Sequence, residues 1–241
     1  MNIEETQKRP DDVRRMFTRI ASRYDLLNRL MTLGQDHRWR RETIRRLDLS
    51  QDDRLLDIGA GTGDLAFEAA RQQPDLKIVA CDFTSAMIHH GRQKVQAYPI
   101  QWVIADAQAL PFPADSFNAV VSGFLLRNVA NLDRTLGEQA RILITHGRVA
   151  SLDTTPPRPS PLSPILHFYF RRIIPALGRW IAGDEGAYRY LPETTQSFVS
   201  ASALASRFTA CGFKNISFVR RMFGTIAIHR GVKAPVDNPS D

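Results

Sequence analysis

Only two cysteines, Cys81 and Cys211, occur in 241 residues, far apart and without metal-knuckle spacing. That excludes a disulfide framework and a cysteine-built zinc site, and predicts two reduced, partly buried thiols. The chain also lacks long apolar runs. Arg, Asp and Glu interrupt every stretch that could otherwise cross a bilayer. The opening Met1-Asn2-Ile3-Glu4-Glu5 holds no apolar signal core, so a cytoplasmic location is expected. No internal repeat is present. Basic residues, in contrast, are plentiful: 32 Lys and Arg against 25 Asp and Glu give a net charge of +7. They concentrate between Lys8 and Arg46 and recur at Arg171-Arg172, Arg179, Arg189 and Arg220-Arg221. A basic surface attracts nucleic acid or anionic lipid, but a solvated face with no partner explains charge alone equally well.

The length suits one α/β domain with extensions. Val13, Phe17, Ile20, Tyr24, Leu27 and Leu30 fall at helical spacing over residues 11–31, and a second helix is expected over 39–47. Strand and helix patterns then alternate. Strands are expected at 54–58, 77–82, 101–104, 118–124 and 147–153, with helices at 64–72, 85–96 and 132–144 between them. Such alternation predicts a parallel sheet covered on both faces. The proline-rich loop 154–161 precedes an amphipathic helical stretch over 162–182, broken by Pro164 and Pro175. A helix near 201–211, closed by Gly212, and strands at 215–220 and 225–229 complete the pattern. The expected organisation is an N-terminal helical cap (1–50), a core (51–233) with a lid insertion over about 156–195, and a disordered polar tail (234–241).

The densest signal is Leu55-Leu56-Asp57-Ile58-Gly59-Ala60-Gly61-Thr62-Gly63-Asp64, a strand that turns over three glycines into a helix. A dinucleotide fingerprint reads G-x-G-x-x-G and places a pyrophosphate at the helix N-terminus. Here the glycines fall as G-x-G-x-G, Asp57 precedes them, and Asp64 stands where an anion would sit. Carboxylates suit a cofactor that carries an ammonium, a sulfonium and a ribose diol, which describes S-adenosylmethionine (SAM). A bare tight turn would also explain the glycines. Two further strand ends favour the cofactor. Asp82 closes the second strand, where one carboxylate can accept both ribose hydroxyls, and Asp106-Ala107 follows the third, at the place for adenine. Asp82 could instead cap the next helix and Asp106 could open a turn, but three successive strand ends are harder to explain structurally.

With these residues in hand the chain resembles the class I SAM-dependent methyltransferases, and more narrowly the UbiE/MenG family of quinone-ring C-methyltransferases. Tyr24-Asp25-Leu26-Leu27-Asn28 is similar to that family's Y-D-x-x-N signature, followed by Gly34 and Arg38-Trp39-Arg40. Ala109 to Pro113, Arg127-Asn128-Val129, Tyr188 to Leu191 and Ala227 to Gly231 are also family-like. The resemblance covers about residues 14–233. It implies a Rossmann-like fold: a mainly parallel seven-stranded sheet with helices on both faces, an N-terminal helical cap and a helical lid after strand five. One departure stands out: the family's Ser-Phe-Gly-Leu is Gly123-Phe124-Leu125-Leu126 here. The cofactor-binding serine of relatives is therefore Gly123, and alternation along a strand turns Ser122 to the other face.

The resemblance implies methyl transfer from SAM to a ring carbon of a prenylated quinol, demethylmenaquinol first and a polyprenyl-benzoquinol second. Expected cofactor residues are Asp57, Gly59, Gly61, Thr62, Gly63, Asp82, Asp106 and Ala107; expected catalytic residues are Arg127, Asn128 and Tyr24. Arg127 would stabilise the phenolate, Asn128 orient a hydroxyl or water, and Tyr24 and Asn28 close over the site. A surface salt bridge for Arg127 and core packing for Tyr24 are the structural alternatives. The base stays open among Asp153, Asp25, a histidine and a water held by Arg127. Residues 164–174, apolar and aromatic with flanking arginines, would meet the membrane surface peripherally, or else form an ordinary lid helix. A nucleic-acid partner is not expected. The place after strand four carries no Asn/Asp-Pro-Pro-aromatic motif, and neither cysteine is placed as a nucleophile. An O- or N-methyltransferase of small molecules and a SAM-binding scaffold are the remaining alternatives. No metal is implied, and a homodimer is left open.

Overall fold

A computed structural model describes residues 10–94, 98–156 and 198–235. The expected lid helix, Tyr188 to Leu191, residues 164–174 and nearly all of the tail lie outside the described residues. Three helices open the chain: α1 (Pro10–Ile20), α2 (Tyr24–Met31) and α3 (Asp36–Leu47). The helix expected over 11–31 is thus two helices, joined by a single 3-10 turn over Ala21–Arg23. Both halves keep one apolar face: Met16, Ile20 and Leu27 are buried together, with Phe17, Tyr24 and Met31 against them.

The sheet follows: β1 (Arg54–Ile58), α4 (Asp64–Gln72), β2 (Lys77–Asp82), α5 (Ser85–Lys94), β3 (Ile100–Ile104), β4 (Phe117–Gly123), α6 (Leu132–Ile142), β5 (Leu143–Thr154), α7 (Ala201–Ala210), β6 (Phe213–Arg221) and β7 (Ile226–Lys233). Its seven strands run β3-β2-β1-β4-β5-β7-β6. The β1 to β5 pairings are parallel, and β7 enters antiparallel between β5 and β6. The helix expected to reach 144 stops at Ile142, and β5 starts four residues early. A register shift between Phe117 and Ala119, with His146 at φ +61°, lets β5 run from Leu143.

Successive strand residues serve opposite faces. Leu55, Ile78, Ala80, Ala119 and Val121 pack with α3 and α4 residues such as Ile44, Leu47, Leu65 and Ala69. Leu56, Ile58, Val79 and Val120 pack on the other face with Leu136, Leu204 and Phe208. Both faces are covered, so the central strands read as nearly continuous apolar runs. The two cysteines follow suit: Cys81 is buried in the second of these clusters and Cys211 is partly buried, both as free thiols. The strand order reverses direction between β1 and β4. In open α/β sheets that switch point, at the carboxyl ends of the strands, is where ligands bind.

Candidate active site

A cleft opens at that switch point. Its floor comes from the loops after four strands: Gly59 and Gly61 after β1, Asp82 to Thr84 after β2, Ala105 to Gln108 after β3, and Gly123 to Leu125 with Asn128 to Ala130 at and after β4. Val13, Phe17 and Tyr24 of the helical cap supply the facing wall. Among the described residues, the lining contains two carboxylates, Asp82 and Asp106, and no Lys, Arg or His.

The glycine loop needs its glycines for different reasons. Gly59 (φ +64°) lies under Leu125, whose Cδ1 would be 2.7 Å from an added Cβ. Gly61 (φ +57°) passes 3.8 Å from the Tyr24 ring by the same construction. Both are left-handed positions that disfavour any side chain. Gly63 (φ +87°) faces away from the cleft, and a Cβ there would strike Trp102 at 2.5 Å. It therefore serves the packing of α4 against β3.

Asp82 reads the loop and keeps capacity for a ligand. Its Oδ2 accepts the Gly61 N–H at 2.8 Å and its Oδ1 accepts the Thr84 N–H at 2.7 Å. Burial pushes its carboxyl above the ordinary range despite these two donors. A carboxylate offers about four acceptor sites, so two remain for a vicinal diol. Helix capping and diol binding are thus compatible. Asp106 accepts the Gln108 N–H at 2.9 Å, so it shapes a turn while lining the cleft beside Ala107.

Asp57 and Thr62, expected at the cofactor, do not line the cleft. Alternation along β1 turns Asp57 to the α4 face, where Oδ2 accepts the Ala66 N–H at 3.0 Å. Fully buried, its Oδ1 lacks a hydrogen-bond partner among the described residues, and burial lifts its pKa to about 8. Thr62 donates its hydroxyl to Asp25 Oδ1 at 2.6 Å and accepts from Lys94 Nζ at 2.7 Å. Lys94 also pairs with Asp25 and with Asp64, the latter at 2.9 Å. The glycine loop, cap and α5 are thereby tied at one point. Burial opposes the charge of Asp64, yet Arg40 and Lys94 outweigh it and hold the carboxyl below its ordinary range. The first turn of α4 carries this paired carboxylate, whose negative charge disfavours a phosphate at that helix end.

On the acceptor side, Tyr24 and Asn128 both line the cleft, and Asn128 Nδ2 donates to the Phe124 carbonyl at 2.8 Å. Arg127 is not among the lining residues. It is buried, and its Nη1 donates to Asp153 Oδ1 at 3.1 Å while its backbone N–H reaches Oδ2 at 3.3 Å. This is a buried ion pair rather than a surface one. Burial lifts the Asp153 carboxyl and Arg127 limits the rise. The Arg127 guanidinium also sits 4.9 Å from the centre of the Phe124 ring, which does face the cleft.

The other base candidates are engaged elsewhere. Asp25 is held by Thr62 and Lys94. His89 and His90 contact each other on α5. His229 is buried between Phe208 and Phe218, hydrogen-bonded to the Ala201 carbonyl at 2.8 Å, and burial lowers its pKa to about 4. Ser122 is buried and points away from the cleft, whereas Gly123 lines it; a Cβ at 123 would meet Leu65 Cδ1 at 2.8 Å. Sequence reasoning missed Val13, Phe17, Phe83, Met87 and Leu125, the apolar half of the lining. Phe83 alone carried a signal, as the residue directly after Asp82.

The donor set fits SAM: a cation-free lining suits a sulfonium and ammonium, two glycines let backbone approach closely, and Asp82 has spare acceptor sites. Among the described residues no helix is long and apolar enough to cross a membrane, and no cluster of His, Cys, Asp and Glu could hold a metal ion.

Known proteins agree with this reading. Solved structures similar to this one include a SAM-dependent methyltransferase of Thermotoga maritima (TM-score 0.63, 19% identity, 91% of this chain and 99% of that one). Another is phosphoethanolamine N-methyltransferase 2 of Haemonchus contortus with bound SAM (TM-score 0.63, 14% identity, 82% of this chain and 53% of that one). Their identity is low, so they speak for the fold. Sequence relatives are nearer. A ubiquinone/menaquinone biosynthesis C-methyltransferase UbiE of Desulfotalea psychrophila is 43% identical over 92% of this chain and 90% of its own length. A demethylmenaquinone methyltransferase of Thermus thermophilus is 40% identical over 90% of this chain and 99% of its own. The profile of the ubiE/COQ5 methyltransferase family matches residues 2–233, and this chain, a SAM-dependent methyltransferase, belongs to that family.

Proposed function

We propose that the protein methylates a ring carbon of a prenylated quinol, with demethylmenaquinol as the first choice of acceptor and a polyprenyl-benzoquinol as the second. The observation that carries this reading is the cleft itself. Among the described residues, a cofactor floor without Lys, Arg or His meets an aromatic and apolar wall of Phe17, Tyr24, Phe124 and Val129. Such a wall suits a flat ring, and the names of the relatives above supply the quinone class.

When bound, SAM supplies an electrophilic methyl group. In this reading Gly59 and Gly61 let the backbone approach it, Asp82 holds the ribose diol, and Asp106 with Ala107 borders the adenine. Gly63, Asp57 and Thr62 act from behind the loop. Tyr24 and Asn128 orient the quinol oxygen so that the ring carbon faces the donor, and alignment of this kind accounts for much of the rate. Arg127 works through Phe124, whose ring it supports, rather than by touching the phenolate. The acceptor's isoprenoid tail calls for peripheral membrane contact, and the exposed Leu26 and Leu33 on the arginine-rich cap suit such contact.

The test uses the purified protein with methyl-labelled SAM, offered separately a prenylated naphthoquinol, a prenylated benzoquinol, both kept reduced, and total RNA. Label in the naphthoquinol is expected. Label in RNA alone, or in no acceptor while SAM binds, overturns the reading.

A further inference from the structure

Arg40 on α3 has no assigned role, although it is one of the best buried charges of the molecule, 6% exposed. Its Nη2 lies 3.2 Å from Asp64 and its Nε 3.6 Å from Asp36. These are ion-pair contacts without hydrogen-bond geometry: among the described residues Nε and Nη2 have no hydrogen-bond partner. Buried donors left so are costly and call for a reason. The guanidinium lies 5.8 Å from the centre of the Phe124 ring, which Arg127 also approaches, at 4.9 Å. Phe124 itself holds a left-handed backbone, φ +57°, that a phenylalanine adopts only when its surroundings impose it.

Tyr24 completes the group. Its phenol lies within the fields of both arginines, with Asp64 as the nearby opposing charge. Burial outweighs the stabilising groups and raises its pKa, so the hydroxyl stays protonated and can donate. Two cations from different parts of the chain thus approach the Phe124 ring, and both act on Tyr24, a second aromatic side chain of the acceptor side of the cleft.

We propose that Arg40 is a positioning residue for methyl transfer: from α3 it holds Tyr24 and Phe124 in the orientation that presents the Tyr24 hydroxyl to the acceptor oxygen. The proposal rests on the reading of Tyr24 as part of the acceptor wall. Arg40 touches neither ligand in this account and acts through Tyr24. A planar fork is suited to this, because it can face two carboxylates on one side and a ring on the other.

A double-mutant cycle tests it, using the full chain, SAM and a reduced prenylated naphthoquinol. Arg40→Gln is expected to lower kcat about 10- to 100-fold, the scale of a lost alignment. SAM affinity, measured by calorimetry, should change less than about threefold, since the cofactor floor is built elsewhere. Tyr24→Phe should cost a similar factor, and the double variant should be no slower than Tyr24→Phe alone. Arg40→Lys should recover part of kcat, and it carries the same cycle if Arg40→Gln does not fold. Fully multiplicative losses, or a fall in SAM affinity as large as the fall in kcat, overturn the proposal. Full activity of Tyr24→Phe also removes it, and that outcome leaves the quinol reading intact. An absence of label in every quinol offered to the unmodified protein overturns the quinol reading instead.

Discussion

The two walls of the cleft are made of different materials. The cofactor wall is largely backbone: glycines in left-handed conformations, N–H groups aimed at one carboxylate, and loops that leave neighbouring parallel strands. The acceptor wall is side chain: Phe17, Tyr24, Phe124 and Asn128, brought together from the cap and from the segment after β4, with Arg40 and Arg127 behind them. Backbone geometry is dictated locally and tolerates little change, so one loop can serve many methyltransferases. A wall of side chains is adjustable, and on the function proposed above acceptor choice belongs there.

The sharpest way to break this division is Arg127→Ala. It leaves Asp153 buried without its guanidinium and is expected to destabilise the fold by about 3–5 kcal/mol, read by urea unfolding. Adding Asp153→Asn should restore part of that loss; if it does not, the pair is not the source of the stability. Next comes Gly59→Ala. Backbone strain and the contact with Leu125 should weaken SAM binding by about 3 kcal/mol, roughly 100-fold. Acceptor KM at saturating SAM should stay within about twofold if the walls are independent. Asp82→Ala removes the diol acceptor but also releases the Gly61 and Thr84 N–H groups. About 1.5–3 kcal/mol of SAM affinity should be lost, with little change in acceptor preference.

A further effect, absent at neutral pH, lies outside both walls. His229 is neutral in the fold, with a pKa of about 4 against an ordinary 6.5. The unfolded chain binds the extra proton first as pH falls. Stability from this group is therefore whole above pH 6.5 and is lost progressively toward pH 4, by at most roughly 3 kcal/mol. In His229→Phe that part of the acid sensitivity should vanish. An unchanged slope of unfolding free energy between pH 6.5 and 4 would show that other groups dominate.

Legibility in the sequence followed the same division. The bounds of β1, α4 and β2 agree with the residues expected, because Gly59 to Asp64 and Asp82 punctuate them. Gly59, Gly61, Asp82, Asp106 and Ala107 all reach the cleft as their positions at strand ends required. Asp57 does not, although the signal was available: it alternates with Ile58 along β1 and so faces α4. Arg127 illustrates a harder limit. Nothing near residue 127 announces that Asp153, at the end of the neighbouring strand β5, will pair with it in the interior. Arg40 was legible only as part of Arg38-Trp39-Arg40, and its surroundings were hidden for the same reason, since Tyr24, Asp64 and Phe124 are scattered over the chain. The break at Ala21–Arg23 was hidden because apolar spacing continues through it.

The position of β7 bears on how the molecule is made. Within the described sheet β6 pairs only with β7, and β7 is also the partner of the outer edge of β5. During synthesis β6 emerges first and has nothing to pair with, while β5 presents a bare edge until Ile226–Lys233 follows. An open edge of this kind is a template for pairing with other chains. A chain cut between residues 221 and 226 would therefore keep the residues of the cofactor floor but leave the β5 edge unsealed, and such a truncated chain should aggregate where the full one does not.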